Sequence, residues 1–250
     1  MEAPFRMAGN LYFVGTAPAS SHLIDTGDGL LLLDTGYADM ADLVLGNVKK
    51  LGYDPGDIRW IVHSHGHVDH FGATKAIVER TGAKTYIGAP DAPTVRGEDD
   101  LSWGQELGVE CPYFVPDVLV QDRDVLTFGH TKMECVYAPG HTRGTLALFW
   151  NIEGENRPLI AGMHGGMGLN SLSKAYLRAH HLPLSLQEEF AQGLERLEKR
   201  HVDVYVGNHA GQNRTFEKAE AGESFVDPAE WGKYMAEYAR IFADFREKEI

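Results

Sequence analysis

The chain has 250 residues, of which 43% are hydrophobic and 24% are charged. This ordinary globular composition excludes a disordered or low-complexity protein, and two cysteines are too few for a disulfide framework. The formal net charge of −13 argues against nucleic-acid binding, because proteins that bind nucleic acid normally present a basic face.

No apolar run reaches the ~20 residues that a membrane-spanning helix needs. Residues 1–10 lack the charged start and apolar core of a signal peptide. A cytoplasmic protein without a membrane partner is therefore expected from the chain as given.

The first third of the chain reads as alternating strands and helices. Apolar, β-prone runs at 11–14, 21–24 and 30–33 predict strands, and the Asp/Gly-rich stretch between the last two predicts a hairpin. Helical spacing of apolar residues predicts helices from Met40 to Leu51 and from Ala73 to Arg80. Further strands are expected at 59–62 and 84–87.

The remainder continues the alternation, with strands predicted at 125–128, 133–137, 145–150, 159–161 and 202–206. Ser185 and Glu188 form the pattern of a capping box at the start of a helix, and a last helix is expected over 227–248. No shift in composition marks a linker. We therefore expect one α/β domain over residues 1–250, with its core at about 11–215.

Two long stretches, 89–118 and 162–183, show no clear period. Irregular segments of this length inside a compact domain are typical of a wall or lid at a functional site. Trp103, Tyr113 and Phe114 lie in the first stretch, where they either form a platform for a substrate or pack locally.

The segment from Ile61 to His70 concentrates potential metal ligands directly after a predicted strand. Alternate residues of an extended run share a face, so His65, His67 and Asp69 can point the same way, whereas His70 must turn off that line. Imidazole and carboxylate groups are good zinc ligands. Four such residues in six positions predict a metal site that can serve two neighbouring ions.

The sequence HGHVDH at 65–70 resembles the HxHxDH signature of the metallo-β-lactamase superfamily. Further similarities follow in the order of that family: LLDTG at 32–36, GHTRG at 140–144 and GNHAG at 207–211. The resemblance implies an αββα sandwich, in which two mixed β-sheets are flanked by helices and the metals lie at one edge of the sheets.

The resemblance also implies two zinc ions per chain. By similarity, the first zinc is held by His65, His67 and His141, and the second by Asp69, His70 and His209. An Asp-His-His second site resembles one subgroup of the class B β-lactamases. Asp34 is expected to orient a metal-binding histidine rather than to bind metal itself.

One position departs from part of the family. Relatives of the glyoxalase-II and lactonase types place a bridging Asp where this chain has Met163. The adjacent His164 is a candidate additional contact to metal or substrate. His22, in contrast, is expected to pack within its strand or to line a pocket.

These features predict a dinuclear zinc hydrolase that acts on a small-molecule substrate. A metal-bound hydroxide would attack a carbonyl, with Asp69 as the catalytic residue that helps to orient it. The lactamase-like second site favours a β-lactam or similar cyclic amide. The alternatives are a lactone, ester or thioester hydrolase, a di-iron redox protein, and a non-catalytic metal-binding protein; the substrate and oligomeric state stay open.

Overall fold

The computed structural model describes residues 3–249. In this part of the chain twelve strands form two sheets. The first sheet contains β1 (Phe5–Ala8), β2 (Leu11–Phe13), β3 (His22–Asp25), β4 (Leu30–Leu33), β5 (Ile58–Val62), β6 (Lys84–Gly88) and β7 (Val118–Val120). The second contains β8 (Asp124–Phe128), β9 (Thr131–Tyr137), β10 (Leu146–Ile152), β11 (Leu159–His164) and β12 (Val204–Tyr205).

Both sheets are mixed. The first follows chain order from β1 to β7; β1 to β4 pair antiparallel, whereas β4 to β7 pair parallel. The second has the order β12-β11-β10-β9-β8, with one parallel pair between β11 and β12.

Nine α-helices lie in the described residues. They are α1 (Ala41–Lys50), α2 (Val68–Phe71), α3 (Thr74–Thr81), α4 (Ala92–Arg96), α5 (Gly104–Leu107), α6 (Lys174–Ala179), α7 (Leu186–Glu198), α8 (Thr215–Ala221) and α9 (Glu230–Lys248). No helix in residues 3–249 is both long and apolar enough to cross a membrane.

Successive side chains of a strand point to opposite faces of the sheet, and this alternation produces the layers of the fold. In β10, Leu146, Leu148 and Trp150 face the core between the two sheets, while Ala147 and Phe149 face a second apolar layer, as the two-residue period of a strand requires. That second layer is completed by α7 and α9, and α1 and α3 cover the outer face of the first sheet. The predicted αββα sandwich is confirmed.

Several boundaries differ from the sequence prediction. The last helix begins at Glu230 rather than at 227, and the predicted single domain includes residues 1, 2 and 250, which lie outside the described part. The capping box is wrong: Ser185 has helical backbone angles and makes no capping bond, and its hydroxyl instead donates to Glu189 at 2.9 Å.

The two stretches expected to be irregular contain short helices. The first includes α4 and α5, and the second includes α6. Helices of four to six residues are too short to establish a readable apolar period, so the pattern could not reveal them.

Candidate metal centre

The ends of the strands bring the predicted ligands together. β4, β5 and β6 run parallel, so the residues that follow them reach the same edge of the first sheet: Asp34 after β4, His65 to His70 after β5, and Asp91 after β6. The second sheet delivers His141 from the loop between β9 and β10, and His209 from the loop after β12.

Three imidazoles form the first ligand group, which consists of His65, His67 and His141. One ring nitrogen of each lies within 4.8 Å of the others, and their ring centroids are 4.4 to 4.7 Å apart. His65 and His67 are buried and His141 is half-buried. Three nitrogens that converge in this way can bind one cation.

The second ligand group consists of Asp69, His70 and His209. Asp69 Oδ2 lies 3.3 Å from His70 Nε2 and 3.6 Å from His209 Nε2, and the two Nε2 atoms are 3.3 Å apart. His65 connects the two groups, because its ring nitrogen also lies within 4.8 Å of ligand atoms of Asp69 and His70.

Hydrogen bonds fix which nitrogen the rings of His141 and His209 present to the cluster. Nδ1 of His141 donates to the carbonyl of Gly168 at 2.8 Å, and Nδ1 of His209 donates to the carbonyl of Pro18 at 2.6 Å. Nε2 is then left with its lone pair free, as metal-binding histidines require.

Asp34 organises the second ligand group without joining it. Its carboxylate accepts from the Ser64 N–H at 2.7 Å, the Ser64 hydroxyl at 2.6 Å and His70 Nδ1 at 2.8 Å. Since the Ser64 hydroxyl donates to Asp34, it accepts from His65 Nδ1 at 3.1 Å. Asp34 itself has a φ of 55°, a left-handed conformation that is uncommon outside glycine and often marks a functional site.

The donor set fits a pair of zinc ions. His65 Nε2 is buried and has no hydrogen-bond partner among residues 3–249. A buried polar atom without a partner is costly, and it lies here where two sets of nitrogen and carboxylate donors meet. Nitrogen and oxygen donors in sets of three match the catalytic zinc sites of proteins.

Burial and neighbouring charge set the protonation of these groups. Burial and the neighbouring imidazoles hold the pKa values of His65 and His67 well below normal, and burial lowers the pKa of His141 to about 4. Burial alone would also lower the pKa of His70, but Asp69 and Asp34 raise it to about 10. Burial opposes ionisation of Asp69, yet His70 and its neighbours bring the pKa of that carboxyl below normal.

Asp91 holds the first ligand group in place and was missed by the sequence reasoning. Its carboxylate accepts from the Gly66 N–H at 2.9 Å, the Thr142 hydroxyl at 2.6 Å and the Gly144 N–H at 2.6 Å. A Cβ on Gly144 would lie 2.6 Å from the Asp91 carboxyl carbon. Asp91 therefore ties the loop that carries His65 and His67 to the loop that carries His141.

His164 lies apart from both groups. It is buried beside Phe190, with ring centroids 6.1 Å apart, and its Nδ1 accepts from the Gly166 N–H at 3.3 Å. Burial lowers its pKa to about 3. Its neighbour Met163 is buried in the core between the sheets, where it offers no carboxylate to the cluster.

The aromatic residues of the first irregular stretch divide between two roles. Phe114 and Tyr113 pack locally against Phe71, with ring centroids 6.0 and 6.4 Å away. Trp103 instead lies 5.9 Å from the His67 ring and stacks on Tyr176 at 5.6 Å. Tyr176 also lines a cleft whose floor includes His67.

Comparison with known families agrees with this geometry. Residues 14–154 match the model of the metallo-beta-lactamase superfamily. The chain belongs to the metallo-beta-lactamase superfamily. The family predicted from the residues at 65–70 is thereby confirmed.

Solved metallo-beta-lactamases share the fold over almost the whole chain. The native FEZ-1 metallo-beta-lactamase from Legionella gormanii is 26% identical with a TM-score of 0.90, covering 99% of this chain and 96% of that one. The class B3 di-zinc metallo-beta-lactamase LRA-12 from an Alaskan soil metagenome is 26% identical with a TM-score of 0.84, covering 99% of this chain and 94% of that one.

Another relative is named for a different activity. The hydroxyacylglutathione hydrolase of Anaeromyxobacter dehalogenans is 30% identical over 130 residues, which are 52% of this chain and 41% of that protein. The chain thus spans less than half the length of this relative.

Contacts between distant segments explain what the sequence reasoning missed. Asp91 directly follows a parallel strand, so its position at the ligand edge was a usable signal. Its partner Thr142 is 51 residues away, and no local pattern predicts that bond. Tyr176 lies on α6, whose N-cap Ser173 accepts from the Tyr176 N–H. A lone N-cap serine is a weaker signal for a short helix than a strand end is for Asp91.

Proposed function

We propose that this protein is a dinuclear zinc hydrolase that opens a β-lactam or a similar cyclic amide. The observation that carries the proposal is the convergence of two complete donor sets, with His65 between them and its buried Nε2 lacking a partner. The likeness to FEZ-1 and LRA-12 over nearly the full chain supports the substrate class.

In this proposal His65, His67 and His141 hold one zinc ion, and Asp69, His70 and His209 hold the other. Bound zinc would supply a nucleophile at neutral pH and polarise the carbonyl that is attacked. The protein contributes fixed ring orientations, through the bonds of His70 to Asp34, His141 to Gly168 and His209 to Pro18.

Asp69 has the additional role of directing the attacking nucleophile. Its side chain is only 13% exposed, and the neighbouring imidazoles hold the pKa of the carboxyl below normal, so it is ionised at neutral pH. An ionised carboxylate at this position can accept a hydrogen bond from the nucleophile and fix its direction. Positioning of this kind raises the rate because the reactants need not find their orientation.

Hydrolysis of a thioester, ester or lactone is the second candidate. The 30% identity to a hydroxyacylglutathione hydrolase favours it. The buried, apolar Met163 argues against it, because that position would hold the bridging carboxylate that the resemblance implies for such enzymes.

The test is a substrate panel on zinc-loaded protein. Benzylpenicillin, an N-acyl homoserine lactone and S-lactoylglutathione represent the cyclic amide, the lactone and the thioester. We expect the largest kcat/KM for benzylpenicillin. Preferential cleavage of the thioester or lactone would favour the second candidate, and absence of hydrolysis of all three would contradict both.

A further inference from the structure

A cleft opens beside the first ligand group, between the segments 90–101 and 171–186. Its floor includes His67 and His141, and its walls combine apolar residues such as Leu101 and Leu182 with polar ones. A substrate group that approaches the ligand cluster from this side would enter the cleft.

Arg143 brings the only lysine or arginine side chain to the lining of this cleft. The residue is exposed, and its side chain makes no ion pair or hydrogen bond with any residue in 3–249. The two carboxylates of the cleft have other partners: Asp91 accepts three bonds, and Asp99 accepts from the Thr94 hydroxyl and the Leu101 N–H. The guanidinium charge is therefore left for a ligand.

The backbone around Arg143 is fixed on both sides. Thr142 and Gly144 are each bonded to the buried Asp91 at 2.6 Å. Arg143 consequently projects from a turn that cannot easily move, two residues after the ligand His141. A cation presented from a rigid turn loses less conformational entropy on binding an anion than one on a flexible loop.

One lining residue of the cleft, Tyr176, belongs to an aromatic pair. Tyr176 and Trp103 stack with an interplanar angle of 24°, and Trp103 adopts a φ of 64°. A bulky residue is strained in that left-handed conformation, and strain of this kind persists where the surroundings enforce it, commonly at functional sites. The two rings offer a flat apolar surface near His67.

We propose that the cleft selects substrates that carry a carboxylate next to a planar apolar group. Arg143 pairs with the carboxylate in bidentate geometry, and the Tyr176 ring, supported by its stacking on Trp103, packs against the apolar group. The single unpaired guanidinium of the cleft matches the one charge and the planar shape of a carboxylate. This inference concerns substrate binding and rests on the proposed hydrolase function.

The first measurement is binding to the zinc-loaded protein by calorimetry. The probes are 3-phenylpropionate and its neutral amide, which differ only in charge at the group that Arg143 would bind. We expect the carboxylate to bind at least tenfold more tightly, since hydrogen bonds to charged groups contribute about one to two orders of magnitude in affinity. Arg143→Gln should abolish the preference, and Arg143→Lys should retain part of it.

Two further variants serve as a control outside the cleft and as a test of the Tyr176 ring. Arg123→Gln removes an arginine that is 79% exposed and lies outside the cleft, so it should leave the preference unchanged. Tyr176→Leu should weaken both probes equally. Equal binding of the two probes by the wild type, or a preference that survives Arg143→Gln because the carboxylate binds zinc directly, would overturn the proposal.

The second measurement distinguishes this proposal from the hydrolase itself. Benzylpenicillin and its methyl ester are compared as substrates, and we expect Arg143→Gln to lower kcat/KM about tenfold or more for the acid, mainly through KM, and to leave the ester unchanged. If neither compound is hydrolysed but the binding preference holds, the proposed substrate fails and the anion site stands. If both are hydrolysed equally and the probes bind equally, the hydrolase stands and the anion site fails.

Discussion

The two ligand groups lie side by side but are fixed in different ways. The first group is supported by one carboxylate, Asp91, which accepts hydrogen bonds from both loops that carry its histidines. The second group depends on Asp34 for His70 alone, while His209 arrives from the other sheet and has a side chain that is 39% exposed. The first group is thus the more rigid and enclosed of the two.

The difference shows how rigidity and access are divided in this centre. A ligand group that is tied at several points is pre-organised for its ion and pays little entropy on binding it. The more open group would leave room for the substrate or solvent to approach an ion bound there. Variants that remove one support at a time can establish whether the two groups respond separately.

The largest effect is expected at Asp69. Asp69→Asn keeps the size of the side chain but loses the negative charge, so turnover of the best substrate should fall by ~10²-fold or more while thermal stability changes little. Steady-state kinetics measure this, with the exposed Asp244→Asn on α9 as a matched control that keeps full activity. Activity within about threefold of the wild type would place Asp69 outside the reaction.

His209 and His164 should differ in their effect on metal content. His209→Ala removes one of three donors of the second ligand group, and we expect the protein then to keep one zinc at micromolar concentration. His164→Ala removes an imidazole outside both groups and should leave two. Elemental analysis of both variants in the same buffer decides this; the reverse pattern would mean that the second site is built around residue 164.

The two supporting carboxylates should act mainly on different ions, since Asp34 bonds directly to His70 and reaches His65 only through the Ser64 hydroxyl. Asp34→Asn and Asp91→Asn each replace one acceptor oxygen by an amide that cannot accept the same bonds. Loss of such supporting contacts typically weakens metal binding 10- to 100-fold. In a chelator competition, Asp34→Asn and Asp91→Asn should each weaken a different one of the two zinc-binding steps. If both variants weaken the same step, the two carboxylates do not support separate sites.

The smallest effect is expected at His22, which belongs to neither ligand group. Neither of its ring nitrogens has a partner among residues 3–249, and burial lowers its pKa to about 4, although Asp34 acts in the opposite direction. As the pH falls below about 6.5, this imidazole becomes protonated in the unfolded chain but stays neutral in the folded chain. The wild type therefore loses stability that a leucine variant would keep.

Denaturant unfolding at pH 7 and pH 5 measures this difference. The free energy of unfolding of His22→Leu, relative to the wild type, should rise by about 2 kcal/mol between pH 7 and pH 5. The exposed His130→Gln is the control and should show no such change. An equal response of His22→Leu and the control would mean that His22 is solvated in the folded protein.

The sequence was informative where function depends on residues near a strand end. His65, His67, Asp69 and His70 lie within a six-residue segment that begins three residues after β5, so their grouping at the strand end could be predicted. The helix α2, which carries Asp69 and His70, could not. The position of Asp91 after a strand was a usable signal, but its bond to Thr142, 51 residues away, was not. Arg143 would act through contact with a ligand and leaves no local pattern. The same holds for Trp103, whose role depends on α6, a helix too short to predict.

The dinuclear arrangement is tested most directly by the metal content of the purified wild-type protein. Six donors in two groups of three predict close to two zinc ions per chain after dialysis against trace zinc, measured by elemental analysis. A stable value of one zinc per chain, or a predominance of iron, would contradict the dinuclear zinc centre.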